Sequence, residues 1–169
     1  LLIQQPEVTQ HVISVLRKAQ KKKIREQDIV ITVDNSARSL LQGLQVYDLV
    51  HIILETEHET TCFIPGGDQR AFLSGDWLKI YLWQQLIQMG SYEDVRWGVR
   101  LILHAQMEYE LDVLCLREET LTLFECHTMT DPIAKSAIYL KLIATYRELF
   151  QPTPLNAYFV TIHPHLSQL

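Results

Sequence analysis

The sequence predicts a mixed α/β fold in which a sheet is flanked by helices. Two short apolar runs, residues 111–116 and 121–126, flank the polar turn 117–120 and indicate an antiparallel hairpin. A helix is predicted at residues 132–149, and a further strand follows it at 157–162. Because a helix between two strands lets the chain cross the sheet, the last strand can pair in parallel. Hairpin, crossover helix and strand together predict a mixed sheet.

A Pro-Gly-Gly sequence at residues 65–67 is the clearest boundary signal in the chain. It is not a phosphate-binding loop, because no Gly-Lys-Ser/Thr follows it. We therefore predict a small N-terminal module at residues 1–67 and the α/β domain at residues 68–169.

The N-terminal module alternates helical and strand patterns. An amphipathic helix with Pro6 near its start is followed by a strand, a short helix capped by Asp34 or Asn35, and two further strands. This order is typical of a winged-helix-like module. The predicted elements are helix 8–23, strand 29–33, helix 36–42, strand 46–55 and strand 60–64.

The second domain begins with a helix at residues 76–89, which Gly90 ends. A strand at residues 95–103 leads into the hairpin. Pro152 and Pro154 end the crossover helix, because proline cannot continue a helix.

Composition is that of an ordinary globular protein, with 47% hydrophobic and 21% charged residues among 169. No apolar run approaches the roughly 20 residues that span a bilayer. The three cysteines (Cys62, Cys115 and Cys126) are odd in number and lack CxxC spacing, so we expect reduced thiols in the cytoplasm rather than a disulfide scaffold or a zinc knuckle. The net charge of −5 does not favour generic nucleic-acid binding. The first residues resemble the middle of a longer polypeptide.

Two carboxylates in the apolar hairpin indicate chemistry. Side chains alternate along a strand, so Asp112 and Glu125 can meet across the hairpin, with His127 on the face of Glu125. Two ionised carboxylates in an apolar setting need a cation or a shared proton. Mg²⁺ or Mn²⁺ would satisfy both. The alternative is an ion pair between Asp112 and Arg96 or Arg100.

Four segments carry a resemblance to a known family. They are Phe72-Leu-Ser-Gly-Asp-Trp77-Leu-Lys-Ile-Tyr81, Trp97-Gly-Val-Arg100, Glu110-Leu-Asp112-Val-Leu and Glu125-Cys-His-Thr. Together they resemble the core of the PD-(D/E)XK, or restriction-endonuclease-like, superfamily. They are most similar to the nuclease part of the CRISPR-associated, cyclic-oligoadenylate-activated nucleases of the Card and Can type. The resemblance covers residues 72–162.

The resemblance implies a site and a reaction. Asp112, Glu125 and the backbone carbonyl of Cys126 would bind Mg²⁺ or Mn²⁺, and Glu110 would be a supporting carboxylate. The implied reaction is phosphodiester hydrolysis of DNA or RNA by a metal-activated water, in prokaryotic defence. The family also implies a homodimer and a nucleotide activator sensed by a preceding Rossmann-like CARF domain. Nothing in this sequence resembles that domain, so residues 1–70 would correspond to the linking module only.

Two residues depart from the family pattern. His127 stands where the family has a lysine, and Lys79 follows Trp77-Leu78 where the family usually has a glutamate. A lysine near the scissile phosphate is a permanent cation, whereas a histidine is mostly neutral at pH 7. His127 could serve as general base or as an extra ligand, and Lys79 could restore the cation from the helix. Alternatively, both changes mark a degenerate site in a binding or dimerisation module. A third hypothesis is a winged-helix regulator whose C-terminal part only dimerises.

Other conspicuous residues have simpler interpretations. Trp77, Tyr81 and Trp83 crowd two helical turns, and we expect them in the core and in a two-fold subunit contact rather than stacked on bases. We expect a solvated helix end for the basic cluster at residues 21–25 and a surface tail for His163 and His165.

Overall fold

The computed structural model describes residues 1–20, 28–102, 108–128 and 136–162, with the side chains of residues 136–139 excepted. The chain divides into two compact units. Within the described residues, the first unit comprises residues up to Asp76 together with Thr128 and Ile162, and the second comprises residues 77–127 and 136–161. No helix in the described part of the chain is long and apolar enough to span a membrane.

The first unit is winged-helix-like. Its three strands form an antiparallel sheet in the order β1-β3-β2. The Asp34 carboxylate accepts a hydrogen bond from the Ser36 N–H at 2.9 Å and so caps a one-turn 3₁₀ helix before α2. The elements are α1 Pro6–Gln20, β1 Ile29–Asp34, α2 Arg38–Val46, β2 His51–Glu55, β3 Glu59–Ile64 and α3 Asp68–Ala71.

The largest boundary error in this unit lies between the second helix, predicted at 36–42, and the strand predicted at 46–55. The strand predicted from residue 46 starts only at His51, because Val46 ends α2 and a turn follows with Asp48 at φ 59°. Val46 and Tyr47 are 81% and 72% exposed. The strand was predicted to start too early because these two apolar residues lie on the surface and not in the sheet.

The second unit is a mixed four-stranded sheet with two core clusters, and one helix contributes residues to each cluster. The strand order is β4-β5-β6-β7, antiparallel except for the parallel pair β6–β7 that the α5 crossover permits. Both units together confirm the predicted fold class. The elements are α4 Trp77–Met89, β4 Asp94–Ile102, β5 Glu108–Arg117, β6 Thr120–His127, α5 Ser136–Leu149 and β7 Leu155–Thr161. The first residues of the predicted crossover helix, 132–135, lie outside the described part.

The β5–β6 hairpin is locally encoded. Glu118 and Glu119 both have positive φ, 48° and 64°, which is the backbone of a tight two-residue hairpin turn. From this turn the regular pairs run from Arg117–Thr120 to Val113–Phe124. The register therefore brings Asp112, the next residue, towards Glu125.

The alternation of side chains changes beside Asp112. Val113 and Cys115 pack in one core cluster with Leu86 of α4, whereas Leu111 packs with Leu123 and with α5 in the other. In a regular strand Leu111 and Val113 would share a face. The irregularity therefore falls at Asp112, where the recorded pairing with β6 also ends.

Candidate metal centre and active site

Two strands bring three possible metal ligands together. Asp112 lies on β5, and Glu125 and His127 lie two residues apart near the end of β6. One ligand atom from each lies within 4.8 Å of the others. Ligands of a divalent ion at about 2.1 Å are separated by at most about 4.2 Å, so small side-chain rotations could close this set around one ion.

Asp112 is held by the backbone of the neighbouring strand. The Cys126 N–H donates a hydrogen bond to Asp112 Oδ2 at 2.7 Å. The regular pairing of β5 with β6 ends at Val113–Phe124. Just beyond that pair, the Asp112 carboxylate accepts the N–H of Cys126 in place of a backbone carbonyl. Burial, and then Asp112 and Glu125, raise the pKa of the Cys126 thiol to about 12. The thiol therefore stays protonated at neutral pH and is a poor ligand.

Glu125 is a buried carboxyl with an unsatisfied oxygen. The residue is only 6% exposed, and its Oε1 has no hydrogen-bond partner among the described residues. Burial, and next the charge of Asp112, raise the pKa of Glu125 to about 8, against a lowering contribution from Lys79. Without a cation, the carboxyl therefore tends to hold its proton at neutral pH.

Lys79 supplies a positive charge to the same place. It lies buried in the first turn of α4, and its Nζ is 2.6 Å from Glu110 Oε1 and 3.8 Å from Asp112 Oδ1. Glu110 is thus the lysine's direct partner, and Asp112 is within ion-pair distance. The sequence left Arg96 and Arg100 as alternative partners for Asp112. Arg96 pairs with Asp94 at 2.9 Å and Arg100 with Glu108 at 3.6 Å.

Two aromatic residues that sequence reasoning missed complete the site. Tyr146 of α5 is buried and hydrogen-bonds the Glu125 side chain, and its ring meets Tyr109 edge-on at 6.3 Å. Phe159 of β7 stacks on His127 with ring centroids 5.1 Å apart and an interplanar angle of 22°. The i, i+4 spacing of Leu142 and Tyr146 could have indicated that Tyr146 faces the sheet. Nothing local could have indicated that it reaches Glu125.

The aromatic residues of α4 differ in their exposure and in their contacts. Trp77 is buried, as expected for a core residue, whereas Tyr81 is 41% exposed. Trp83 donates its indole N–H to the Val95 carbonyl at 3.2 Å and lies against Trp97. The basic cluster at 21–25 and the histidines at 163 and 165 lie outside the described residues.

The family model for the Card1-like endonuclease domain matches residues 67–164, more than half of the chain. The chain belongs to this family. The resemblance noted in the sequence, including the restriction-endonuclease-like fold, is therefore confirmed. No curated protein matches the sequence.

Two solved structures share the fold of this chain. One is the protein VC1899 from Vibrio cholerae, with a TM-score of 0.67 and 17% identity over 96% of this chain. The other is Can2 from Sulfobacillus thermosulfidooxidans in complex with cyclic tetra-adenylate, with a TM-score of 0.67 and 18% identity over 94% of this chain. At these identities the likeness establishes the fold. The chain spans 44% of the length of each.

The charges of this Card1-like domain fit a divalent cation. Three carboxylates (Glu110, Asp112 and Glu125) face one ammonium, that of Lys79. If all four are ionised, the net charge is two negative, and one divalent ion would neutralise it. The unsatisfied Glu125 Oε1 is the ligand atom that such an ion would most relieve.

Proposed function

We propose that this chain is a metal-dependent nuclease domain that hydrolyses phosphodiester bonds of DNA or RNA in CRISPR-associated prokaryotic defence. One observation carries the proposal: Asp112, Glu125 and His127 present ligand atoms within 4.8 Å of one another, and one of these residues is a buried glutamate with a carboxyl oxygen that has no hydrogen-bond partner in the described part of the chain. Membership of an endonuclease-domain family supports the reaction class.

The carboxylates, the lysine and the Cys126 backbone each have a role in this proposal. Asp112 and Glu125 would hold Mg²⁺ or Mn²⁺, with the Cys126 carbonyl as the further ligand that the family resemblance implies. Such an ion lowers the pKa of bound water and neutralises charge on the scissile phosphate. The Cys126 N–H fixes Asp112, and Glu110 fixes the Lys79 ammonium, which would stabilise negative charge on a bound phosphate.

The wider assembly is also part of the proposal. We divide the chain into a linking module at 1–67 and a nuclease domain at 68–169, which the start of the family match at residue 67 supports. A nucleotide activator would act on this chain only if a sensing domain is supplied elsewhere, and the chain spans 44% of the length of each of the two structural relatives. The complex of Can2 with cyclic tetra-adenylate supports a cyclic oligoadenylate as the proposed nucleotide. We further propose a homodimer and a cytoplasmic location, the latter supported by three free cysteines.

A second candidate is a nuclease-fold module without catalysis. The observation that favours it is the histidine at 127, together with the close Lys79–Glu110 pair, which partly neutralises the only lysine placed in the described site. Such a protein would keep the fold and bind or dimerise.

A substrate survey separates the two candidates. The protein would be incubated with Mn²⁺ or Mg²⁺ and labelled single- and double-stranded DNA and RNA, beside Asp112→Asn and the exposed-turn control Glu118→Gln. The nuclease proposal expects cleavage of at least one substrate by wild type and Glu118→Gln but not by Asp112→Asn. Cleavage by none of the three, or equally by all, would favour the module without catalysis.

A further inference from the structure

We propose that His127 is a nitrogen ligand of the metal and that Lys79 takes the place of the missing motif lysine. The centre would then have two carboxylates and one imidazole, and it would prefer Co²⁺ or Ni²⁺ to Mg²⁺. This inference rests on the proposed metal site and adds a ligand and a metal class to it.

The position of His127 favours coordination. Its ligand nitrogen belongs to the same 4.8 Å set as the carboxylate oxygens of Asp112 and Glu125. Glu125 and His127 are two residues apart on one strand, so their side chains leave the strand on the same side. A neutral imidazole is a good ligand because it brings a donor atom without adding charge to a site already rich in carboxylates.

Lys79 makes a charge role for His127 unnecessary. Its ammonium lies 3.8 Å from Asp112 Oδ1 and is fixed by Glu110 at 2.6 Å. A lysine is charged over the whole physiological range, whereas a histidine is mostly neutral at pH 7. The two departures from the family pattern thus complement one another. Lys79 on α4 supplies the positive charge, and His127 on β6 supplies a nitrogen ligand where the family has a lysine.

Phe159 keeps the imidazole ready to bind. The two rings stack at 5.1 Å and 22°, which restricts rotation of the histidine ring about its own axis. Metal ligands are commonly held in position by such outer contacts, and their loss weakens metal binding. Phe159 is therefore a positioning residue in this inference.

The donor set determines the metal class. Mg²⁺ prefers oxygen ligands and water in near-ideal octahedral geometry. Imidazole suits later first-row divalent ions, and the affinity of a given site rises from Mn²⁺, which prefers oxygen ligands, through Co²⁺ to Ni²⁺. Exchanging a lysine for a histidine should therefore raise affinity for these ions while leaving affinity for Mg²⁺ low.

Direct metal binding tests the inference without reference to cleavage. Tag-free, chelator-treated protein would be titrated with Co²⁺, followed by visible absorption, and with Mg²⁺, followed by calorimetry. Pulsed electron paramagnetic resonance on the Mn²⁺ form would detect a coordinated nitrogen. The variants are His127→Ala, His127→Gln, His127→Lys and Asp112→Asn, with the exposed His58→Ala as the matched control. Thermal unfolding without metal verifies that each variant is folded.

The expected result is selective loss. All three His127 variants should lose at least tenfold in Co²⁺ affinity, the lower bound found even for outer-shell changes. The nitrogen signal should disappear, and Mg²⁺ affinity should change much less in His127→Gln. His58→Ala should match wild type. Equal Co²⁺ affinity in wild type and folded His127→Gln, or no nitrogen signal in wild type, would overturn the inference while Asp112 and Glu125 could still bind metal. Unchanged Co²⁺ binding in Asp112→Asn would instead remove the metal site on which the proposed function depends.

Discussion

Replacing Glu125 by glutamine should stabilise the metal-free protein near neutral pH. Burial and Asp112 raise the pKa of this carboxyl from its ordinary 4.5 to about 8, so the folded state keeps a proton that the unfolded state loses. Across that interval the unfolded state binds fewer protons, and wild-type stability therefore falls as pH rises. Glutamine has nearly the same shape but does not titrate, so it should escape this loss.

The size of the effect follows from the pH interval. Each pH unit above 4.5 costs the wild type about 1.4 kcal/mol until the folded carboxyl itself ionises. At pH 7 the expected difference is on the order of 3 kcal/mol, and near pH 5 it should be under about 1 kcal/mol. For a protein of this length, 1 kcal/mol corresponds to about 2–4 °C in Tm.

Thermal or urea unfolding in chelator at pH 5, 6, 7 and 8 would measure the difference. Glu125→Gln should unfold several degrees above wild type at pH 7, and Glu118→Gln, in the exposed hairpin turn, should match wild type at each pH. Mn²⁺ should stabilise wild type more at pH 8 than at pH 6, because metal and proton compete for Glu125, and should stabilise Glu125→Gln far less. A Glu125→Gln protein that is less stable than wild type at pH 7, with the same pH dependence, would refute the reasoning.

Three further predictions concern neighbouring groups and assembly. Lys79→Met should reduce cleavage at least tenfold while Mn²⁺ still binds, because the ammonium faces substrate charge; the exposed Lys141→Met is the control, and equal cleavage by both would contradict the role. Tyr146→Phe, which removes the hydrogen bond to Glu125, should weaken Mn²⁺ binding about 10- to 100-fold in calorimetry, whereas Tyr109→Phe should not; similar affinities would refute it. Light scattering at micromolar concentration should give twice the 19.7 kDa chain mass, and a monomer mass would argue against the homodimer.

Local sequence patterns predicted the hairpin and its carboxylates. The polar turn between the two apolar runs fixes the register of the hairpin, and this register brings Asp112 towards Glu125. The same local reasoning misplaced the start of the strand at residue 46, because exposed Val46 and Tyr47 follow the pattern without being buried.

Contacts between distant segments could not be predicted in this way. The sequence made Lys79 a candidate, but its partner Glu110 depends on how α4 packs against β5. Tyr146 and Phe159 reach Glu125 and His127 only through the placement of α5 and β7. The break in side-chain alternation at Asp112 could not be predicted either. Both faces of this strand are covered by core clusters, so apolar residues fit on either face and the sequence pattern does not change.

Single-turnover cleavage of end-labelled DNA and RNA by wild type and Asp112→Asn, in Mn²⁺ and in chelator, tests the central claim most directly. Asp112→Asn preserves the shape of a side chain that accepts a hydrogen bond from the Cys126 N–H and lies 3.8 Å from the Lys79 ammonium, but it removes the negative charge. Cleavage by wild type in Mn²⁺, at least a hundredfold above the variant and abolished by chelator, is the predicted result. Equal cleavage by the two proteins, or cleavage that persists in chelator, would contradict a metal-dependent nuclease centred on Asp112 and Glu125.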